Sequence, residues 1–188
     1  MPTIAALPAA RLTDDAYERL CKVGAFGDRR VELIGGRVVE MNPTYTLHAL
    51  TRRAIARALE RALSAAGVKL EAIEALSVRF GGGFYPTPDV LVWEMQRLDG
   101  PVLGPEARLV VEVSDDSLGD DLGEKRAYYA AAGLPEYWVF DVRGHVVHQF
   151  AEPRGGAYAV AQVHAFGARI ESLTQAGVAV DTGDLPKV

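Results

Sequence analysis

Two acidic residues lie in apolar segments that the sequence predicts to be buried strands. Asp89 opens the segment DVLVWE, and Glu112 lies near the end of LVVEVS. Burying a carboxylate costs free energy unless another group compensates its charge. The residue types and their setting therefore indicate that both acids have a partner.

The connection between the two segments predicts how they pair. Residues 95–107 carry no helical pattern, and a short non-helical connection favours antiparallel neighbours because parallel strands need a longer crossover. Pairing over the full length would place Asp89 opposite Glu112 and Trp93 opposite Arg108. The two carboxylates would then repel each other on one face. A hard divalent cation with oxygen ligands, such as Mg²⁺, fits best between them.

A lysine follows at a position from which it could reach the same acids. The second strand leads into DDSLGDDLGEK, and Lys125 falls in the first turn of the helix predicted there. That turn should lie near the strand end that carries Glu112. Two carboxylates, a metal ion and a lysine suit phosphodiester hydrolysis, because the metal polarises the phosphate and lowers the pKa of an attacking water. The lysine would orient that water or neutralise developing charge.

The elements that position these residues alternate between helix and strand. Apolar periodicity and capping signals predict helices over about 14–23, over Thr46–Ala66, and from a capping box at Asp121 to a stop at Gly133. Strand patterns cover a hairpin over 31–41 around Gly35–Gly36, then Lys69–Phe80, Asp89–Glu94, Arg108–Ser114 and several tail segments. This order predicts an α/β or mixed α+β fold with a mixed sheet.

Length and composition place the chain in a broad class. The 188 residues fit a single domain, with an N-terminal helix and hairpin over 12–41, a core over 42–142 and a strand-rich tail over 143–188. One cysteine excludes an internal disulfide framework and a multi-cysteine metal site. The start lacks secretory-signal features and no long apolar run occurs, so we expect a soluble, cytoplasmic protein without a membrane span. The net charge of −5 argues weakly against a protein that binds nucleic acid over its whole surface.

Several segments resemble a known family. The dipeptide PD at 88–89 followed by EVS at 112–114 resembles the PD-(D/E)XK nuclease superfamily. More narrowly, VELIGGRVVEM, PDVLVWE, LVVEVS and above all DLGEKRAYYAAAGLPEYWVFD resemble the Uma-type restriction endonuclease family, over about Val31 to Asp141. The resemblance implies a restriction-endonuclease-like core, in which helices flank a mixed β-sheet.

The resemblance also implies a set of site residues. Asp89 and Glu112 would bind Mg²⁺ or Mn²⁺, with the backbone carbonyl of Val113 as a third ligand. The superfamily pattern places its lysine two residues after the second acid, where this chain has Ser114. In the Uma-type family the lysine is displaced to the following helix, which selects Lys125.

The same family pattern adds two further members and a partner. A glutamate in the ELI block and a histidine opening the long helix correspond to Glu32 and His48. The implied partner is DNA. The segment DDSLGDD replaces the usual S-P-S-T, and its acidity argues against phosphate approaching from that side. An apolar edge strand in the tail, AYAVAQVH, would suit a homodimer.

Each site residue also has a purely structural interpretation. Asp89 could accept a hydrogen bond from a backbone N–H, and Glu112 could form a buried salt bridge with Lys125. His48 could be a satisfied core histidine, and Glu32 could face solvent.

The sequence also allows two other functions, and it leaves the role of one arginine pattern undecided. The fold could serve as a catalytically inactive module for nucleic-acid binding or oligomeric interaction, or the same site could hydrolyse a small phosphodiester. Arg53, Arg57 and Arg61 recur at every fourth position of the long helix. Such a stripe is typical of a solvated face, with phosphate contact as the alternative.

Overall fold

A six-stranded mixed sheet forms the centre of the computed structural model, which describes residues 10–96 and 99–186. The helices are α1 (Asp14–Lys22), α2 (Thr46–Ala66), α3 (Leu118–Asp120) and α4 (Arg126–Ala131). A π-helical turn, Asp121–Lys125, joins α3 to α4, so that 118–131 is one continuous helical segment. The strands are β1 (Val31–Ile34), β2 (Arg37–Glu40), β3 (Glu71–Glu74), β4 (Val78–Arg79), β5 (Val90–Trp93), β6 (Val102–Leu103), β7 (Ala107–Ser114), β8 (Glu136–Asp141), β9 (Val146–Arg154), β10 (Ala157–Ala165), β11 (Arg169–Glu171) and β12 (Ala179–Asp181).

The main sheet has the order β10-β9-β8-β7-β5-β3. Its strands pair antiparallel except for β7 and β8, which are parallel. The helical segment 118–131 supplies the crossover that a parallel pair requires. The predicted mixed fold class is therefore confirmed. β9 and β10 of the strand-rich tail extend this sheet, and β10 forms its edge, while the homodimer stays a prediction.

The two faces of the sheet are covered by different helices. On one face, Ile55, Leu59 and Leu63 of α2 pack with the alternate β7 residues Val111 and Val113. Burying a side chain of this size contributes about 1.5–3 kcal/mol. On the other face, the helical segment 118–131 packs through a second apolar cluster. α2 ends at Gly67 in a left-handed conformation, as the sequence predicted.

The strand ends that surround the site differ in detail from the sequence predictions. The segment predicted as a strand over Lys69–Phe80 contains two strands and is not continuous, because Ala75 adopts a positive φ of 52° and separates β3 from β4. Trp93 pairs with Ala107 and not with Arg108, because a register shift occurs between Val92 and Trp93. The antiparallel pairing of β5 with β7 is confirmed.

The predicted hairpin turn at Gly35–Gly36 joins β1 to β2. Both glycines have positive φ, at 58° and 76°, a region that L side chains rarely adopt. The Arg11 guanidinium donates to the Gly35 carbonyl, and the Gly36 N–H donates to the carbonyl of Gly83. These contacts hold the end of β1, the strand that carries Glu32.

We expect Gly35→Ala to lower the free energy of unfolding by about 2–3 kcal/mol. A Cβ at Gly35 would overlap the Tyr128 hydroxyl, and stacking of Tyr128 on Phe84 limits its retreat. Gly24→Ala is the matched control, because Gly24 also has positive φ but its Cβ would meet open space. Urea denaturation measures both, and equal losses would contradict the steric explanation.

Within the described part of the chain, no helix combines the length and apolar character that crossing a membrane requires.

Candidate active site

The pairing of β5 with β7 brings the two predicted acids together. Val90 pairs with Val111, so Asp89 and Glu112 stand next in the same register. The Asp89 N–H donates to Oε2 of Glu112 at 3.4 Å, and Oδ2 of Asp89 accepts the N–H of Val113 at 2.8 Å. The Asp89 side chain therefore has the backbone partner of the structural interpretation while it also lies beside the second acid.

Lys125 extends from the π-helical turn into a group of carboxylates. Its Nζ lies 3.2 Å from Oε1 of Glu112 and 3.3 Å from Oε2 of Glu32. The Oδ1 of Asp121 is 3.7 Å from the same ammonium. One lysine thus faces three buried carboxylates, which leaves an excess of negative charge around it.

The protonation of this group follows from burial and charge. Burial raises the pKa of Glu112 well above its ordinary value, although the ammonium of Lys125 opposes the shift. Burial lowers the pKa of Lys125, but the carboxylates of Glu112, Glu32 and Asp121 outweigh burial and bring that pKa above its ordinary value. Lys125 therefore stays an ammonium at neutral pH, while burial of Glu112 opposes the ionisation that this ammonium favours.

Glu32 lies inside the molecule on β1. Its side chain is 4% exposed, so the interpretation in which it faces solvent is wrong. Oε1 accepts the N–H of Thr87 at 2.6 Å, two residues before Asp89, and Oε2 faces Lys125. Glu32 therefore connects β1 to the segment that enters β5.

His48 reaches the site from the first turns of α2. Its Nε2 lies 2.7 Å from Oδ1 of Asp89, and the ring is half-buried at the cleft wall. Arg52, one turn further along α2, places Nη1 3.8 Å from the same oxygen and donates from Nε to Glu74. His48 is thus bonded to the predicted metal ligand and is not a core histidine remote from the site.

The sequence interpretation missed three side chains of this site. Asp121 accepts hydrogen bonds from the hydroxyls of Ser114 and Ser117, both at 2.6 Å. It was predicted to cap a helix, but the helical segment begins at Leu118 and Asp121 lies inside it. Tyr129 donates its hydroxyl to Oε1 of Glu112 at 3.1 Å. The third is Arg52.

Sequence patterns contain a signal for only some of these missed side chains. Ser114 and Glu112 are two apart on β7 and so share a face, which signals that Ser114 would meet the same helix. Tyr129 follows Lys125 by four positions, the spacing of neighbours on one helix face. The π-helical turn that brings Asp121 and Lys125 together has no signal of this kind.

These side chains surround one cleft of about 350 Å³, lined among others by Glu32, His48, Asp89, Glu112 and Lys125. Its rim is acidic and includes Asp115, Asp116 and Asp120. Arg143 pairs with Asp115 and Asp116 at 2.5 and 2.6 Å, which offsets part of that charge. The acidic loop is therefore less repulsive to an anion than its sequence indicated.

The donor chemistry of the cleft fits a hard divalent cation. Within residues 10–96 and 99–186, no three His, Cys, Asp or Glu side chains form an arrangement that could hold a metal by themselves. Asp89 and Glu112 supply adjacent carboxylate oxygens in surroundings with excess negative charge. Mg²⁺ is commonly held by one or two carboxylates, with water and phosphate completing its ligands. The residues present match that type of site and not an all-protein cage.

Comparison with protein families assigns the chain to one of them. The model of the family described as "Uma2: Putative restriction endonuclease" matches residues 14–183. The chain belongs to the Uma2 family. The match covers every element of the cleft, from the β1–β2 hairpin to the helical segment 118–131.

A solved structure agrees with the Uma2 assignment at the level of the fold. It is a crystal structure described as "a putative nuclease belonging to DUF820 from Anabaena variabilis ATCC 29413". The TM-score is 0.72 at 14% sequence identity, over 93% of this chain and 97% of that one. No curated protein matches the chain at a significant level.

Proposed function

We propose that this chain is a metal-dependent endonuclease that hydrolyses DNA phosphodiester bonds. The observation that carries the proposal is the placement of Asp89 and Glu112 side by side at the cleft, with the Lys125 ammonium 3.2 Å from Glu112. Membership of the Uma2 family supports it, as does the fold shared with a protein described as a nuclease.

Asp89, Glu112 and the backbone carbonyl of Val113 would hold Mg²⁺ or Mn²⁺. Bound there, the ion would polarise the scissile phosphate and lower the pKa of the attacking water. Occupancy requires Glu112 to lose its proton and Asp89 to accept the ion beside His48. The N–H of Val113 already fixes one Asp89 oxygen, so the carboxylate is oriented in advance.

Lys125 acts in this scheme as a fixed positive charge. Because the pKa of Lys125 is raised, its ammonium donates hydrogen bonds to the attacking water or to phosphate oxygens, and it does not take a proton. Glu32 also holds this ammonium, with Oε2 3.3 Å from Nζ. His48 donates from Nε2 to Asp89 and so orients that carboxylate, as outer hydrogen-bond partners of metal ligands do.

Cleavage of supercoiled plasmid with Mg²⁺ or Mn²⁺ tests the proposal. We expect Asp89→Asn and Lys125→Ala each to reduce the cleavage rate about 100-fold or more, because each removes a charged group at the reacting phosphate. Asp28→Asn and Lys22→Ala are matched controls at exposed positions outside the cleft. Cleavage that survives both site substitutions would reject the mechanism.

An inactive module remains the second candidate, favoured by one observation. Asp89 is satisfied by His48 and Val113, and Lys125 is satisfied by its carboxylates, so the cleft is hydrogen-bonded without a cation. Calorimetric titration with Mn²⁺ separates the two functions. Binding that disappears in Asp89→Asn supports the enzyme, and absence of binding in the wild-type protein supports the module.

A further inference from the structure

Among the described residues, the arginines on the outer face of α2 differ from several other arginines in having no carboxylate partner. Arg37, Arg79, Arg108 and Arg143 all form ion pairs with carboxylates. For the α2 set (Arg53, Arg57 and Arg61), no carboxylate within the described part of the chain lies within ion-pair distance. All three side chains are exposed on the helix.

Their spacing concentrates positive charge in a line. Residues four apart rise by about 6 Å along an α-helix and turn by only a small angle, so like charges at this spacing repel each other. A polyanion that lies along the helix would relieve this repulsion between the guanidinium groups. The step is also close to the separation of successive phosphates on a nucleic-acid strand.

The line of charge is continuous with the cleft. Arg52 lines the cleft and also a shallow groove beside α2, which Arg53 and Arg57 line together with Glu60 and Glu74, the latter paired with Arg52. Arg57 and Arg61 then line a further groove of about 510 Å³ between α2 and the β11–β12 hairpin. A strand leaving the cleft at the start of α2 would therefore meet one arginine after another.

The further groove has a positive wall and an acidic edge. Arg169 lines it from β11, opposite Arg57 and Arg61, while Asp181 and Asp184 lie toward the end of the chain. Asp181 already accepts the N–H of Gly183 at 2.8 Å. Asp181 is also the cross-strand partner of Arg169, so the uncompensated positive charge of this groove comes mainly from Arg57 and Arg61 on α2.

We propose that α2 is the DNA-backbone track of this protein, in which Arg53, Arg57 and Arg61 contact the phosphates of the duplex flanking the cleft. The proposal rests on the DNA-cleaving function proposed above and names the surface that binds the substrate outside the reacting phosphate. Contacts of this kind position the duplex and carry no sequence information, so the track gives affinity without base preference.

The test measures binding separately from cleavage. A fluorescein-labelled duplex is titrated with the full chain in EDTA, and anisotropy is followed as KCl rises from about 50 to 200 mM. We expect the double variant Arg57→Gln/Arg61→Gln to weaken binding roughly tenfold or more at low salt. The slope of log K against log salt should fall by about 1.8, because each lost phosphate contact removes about 0.9.

Two further double variants make the result specific. Arg19→Gln/Arg154→Gln changes the net charge equally at exposed sites away from α2, and it should keep the wild-type salt slope. Arg57→Lys/Arg61→Lys keeps the charges and should restore most of the slope. Three results would overturn the proposal. They are an unchanged salt slope in the Arg57→Gln/Arg61→Gln variant, an equal loss of slope in the Arg19→Gln/Arg154→Gln control, and no DNA binding by the wild-type protein. If the wild-type protein binds DNA but does not cleave it, and the Gln variant loses that binding, the α2 surface is upheld as a DNA-binding surface and the nuclease function is rejected.

Discussion

Replacing Lys125 with methionine is expected to lower the free energy of unfolding by about 3 kcal/mol near pH 8, and by less near pH 5.5. The substitution leaves Glu112, Glu32 and Asp121 buried without the ammonium that now lies within 3.7 Å of each of them. Removing one partner of a buried ion pair costs more than removing the whole pair, because the remaining charge has no compensation.

The pH dependence follows from proton uptake by the uncompensated acids. In the wild type the raised pKa of Lys125 means that its contribution is complete below the unfolded value of about 10.4 and is lost only as pH rises through the folded pKa. In the variant, burial and mutual repulsion raise the pKa of Glu112 further, so the folded state binds more protons than the unfolded state. The free energy of unfolding of the variant therefore falls as pH rises.

Urea denaturation at the two pH values measures this effect. Lys22→Met is the matched control, since Lys22 is 72% exposed and pairs with Glu18 at the surface, and it should change stability little. Glu112→Gln keeps one acceptor oxygen for Lys125 and Tyr129, and Lys125 also keeps Glu32 and Asp121, so this change should cost less stability than Lys125→Met. A Lys125→Met loss of equal size at both pH values would show that lost packing and not charge is responsible.

Replacing Glu136 with glutamine is expected to lower the free energy of unfolding by about 3 kcal/mol, more than the same change at Glu112. Glu136 is fully buried on β8. Its Oε1 accepts hydrogen bonds from Trp138 Nε1, Gln149 Nε2 and the Leu173 N–H. Its Oε2 accepts from the Ser172 hydroxyl and from both the N–H and the hydroxyl of Thr174.

A glutamine would turn one of these acceptors into a donor that faces other donors. The loop after β11 is held to β8 through this carboxylate, so its amides should also exchange with solvent sooner. Urea denaturation gives the stability, and hydrogen exchange at Leu173 and Thr174 reports the loop. Glu152→Gln, at an exposed position of β9, is the control. Retention of wild-type stability in Glu136→Gln would show that the loop does not depend on the charge of the acceptor.

Local sequence signals predicted the elements that carry the site. The bounds of α2 and the turn at Gly35–Gly36 follow from residue chemistry within a few positions, where apolar periodicity and glycine conformation decide the structure. The pairing of β5 with β7 followed from the length of one connection. That single step was enough to place Asp89 beside Glu112, because the side-chain period of a strand is fixed.

The errors arose where distant segments decide the outcome. The backbone reversal at Ala75 and the register shift after Val92 bend strands around neighbours that no local pattern describes. Asp121 has the spacing of a helix cap, yet two serines donate to its Oδ2, Oδ1 faces Lys125, and the helical segment starts earlier. Side chains from separate elements compete for contacts at these positions. A short stretch of sequence carries no sign of such competition.

The π-helical turn Asp121–Lys125 makes the lysine position depend on chain length as well as on residue identity. A π-turn amounts to one extra residue within an α-helix, and such turns recur at functional sites. Shortening the segment by one residue would restore regular α-helix and change which side chain stands at the position from which Lys125 reaches Glu112. An insertion or deletion that leaves every charged residue in place could therefore separate the lysine from both acids, so homologues should be compared here by loop length before residue type.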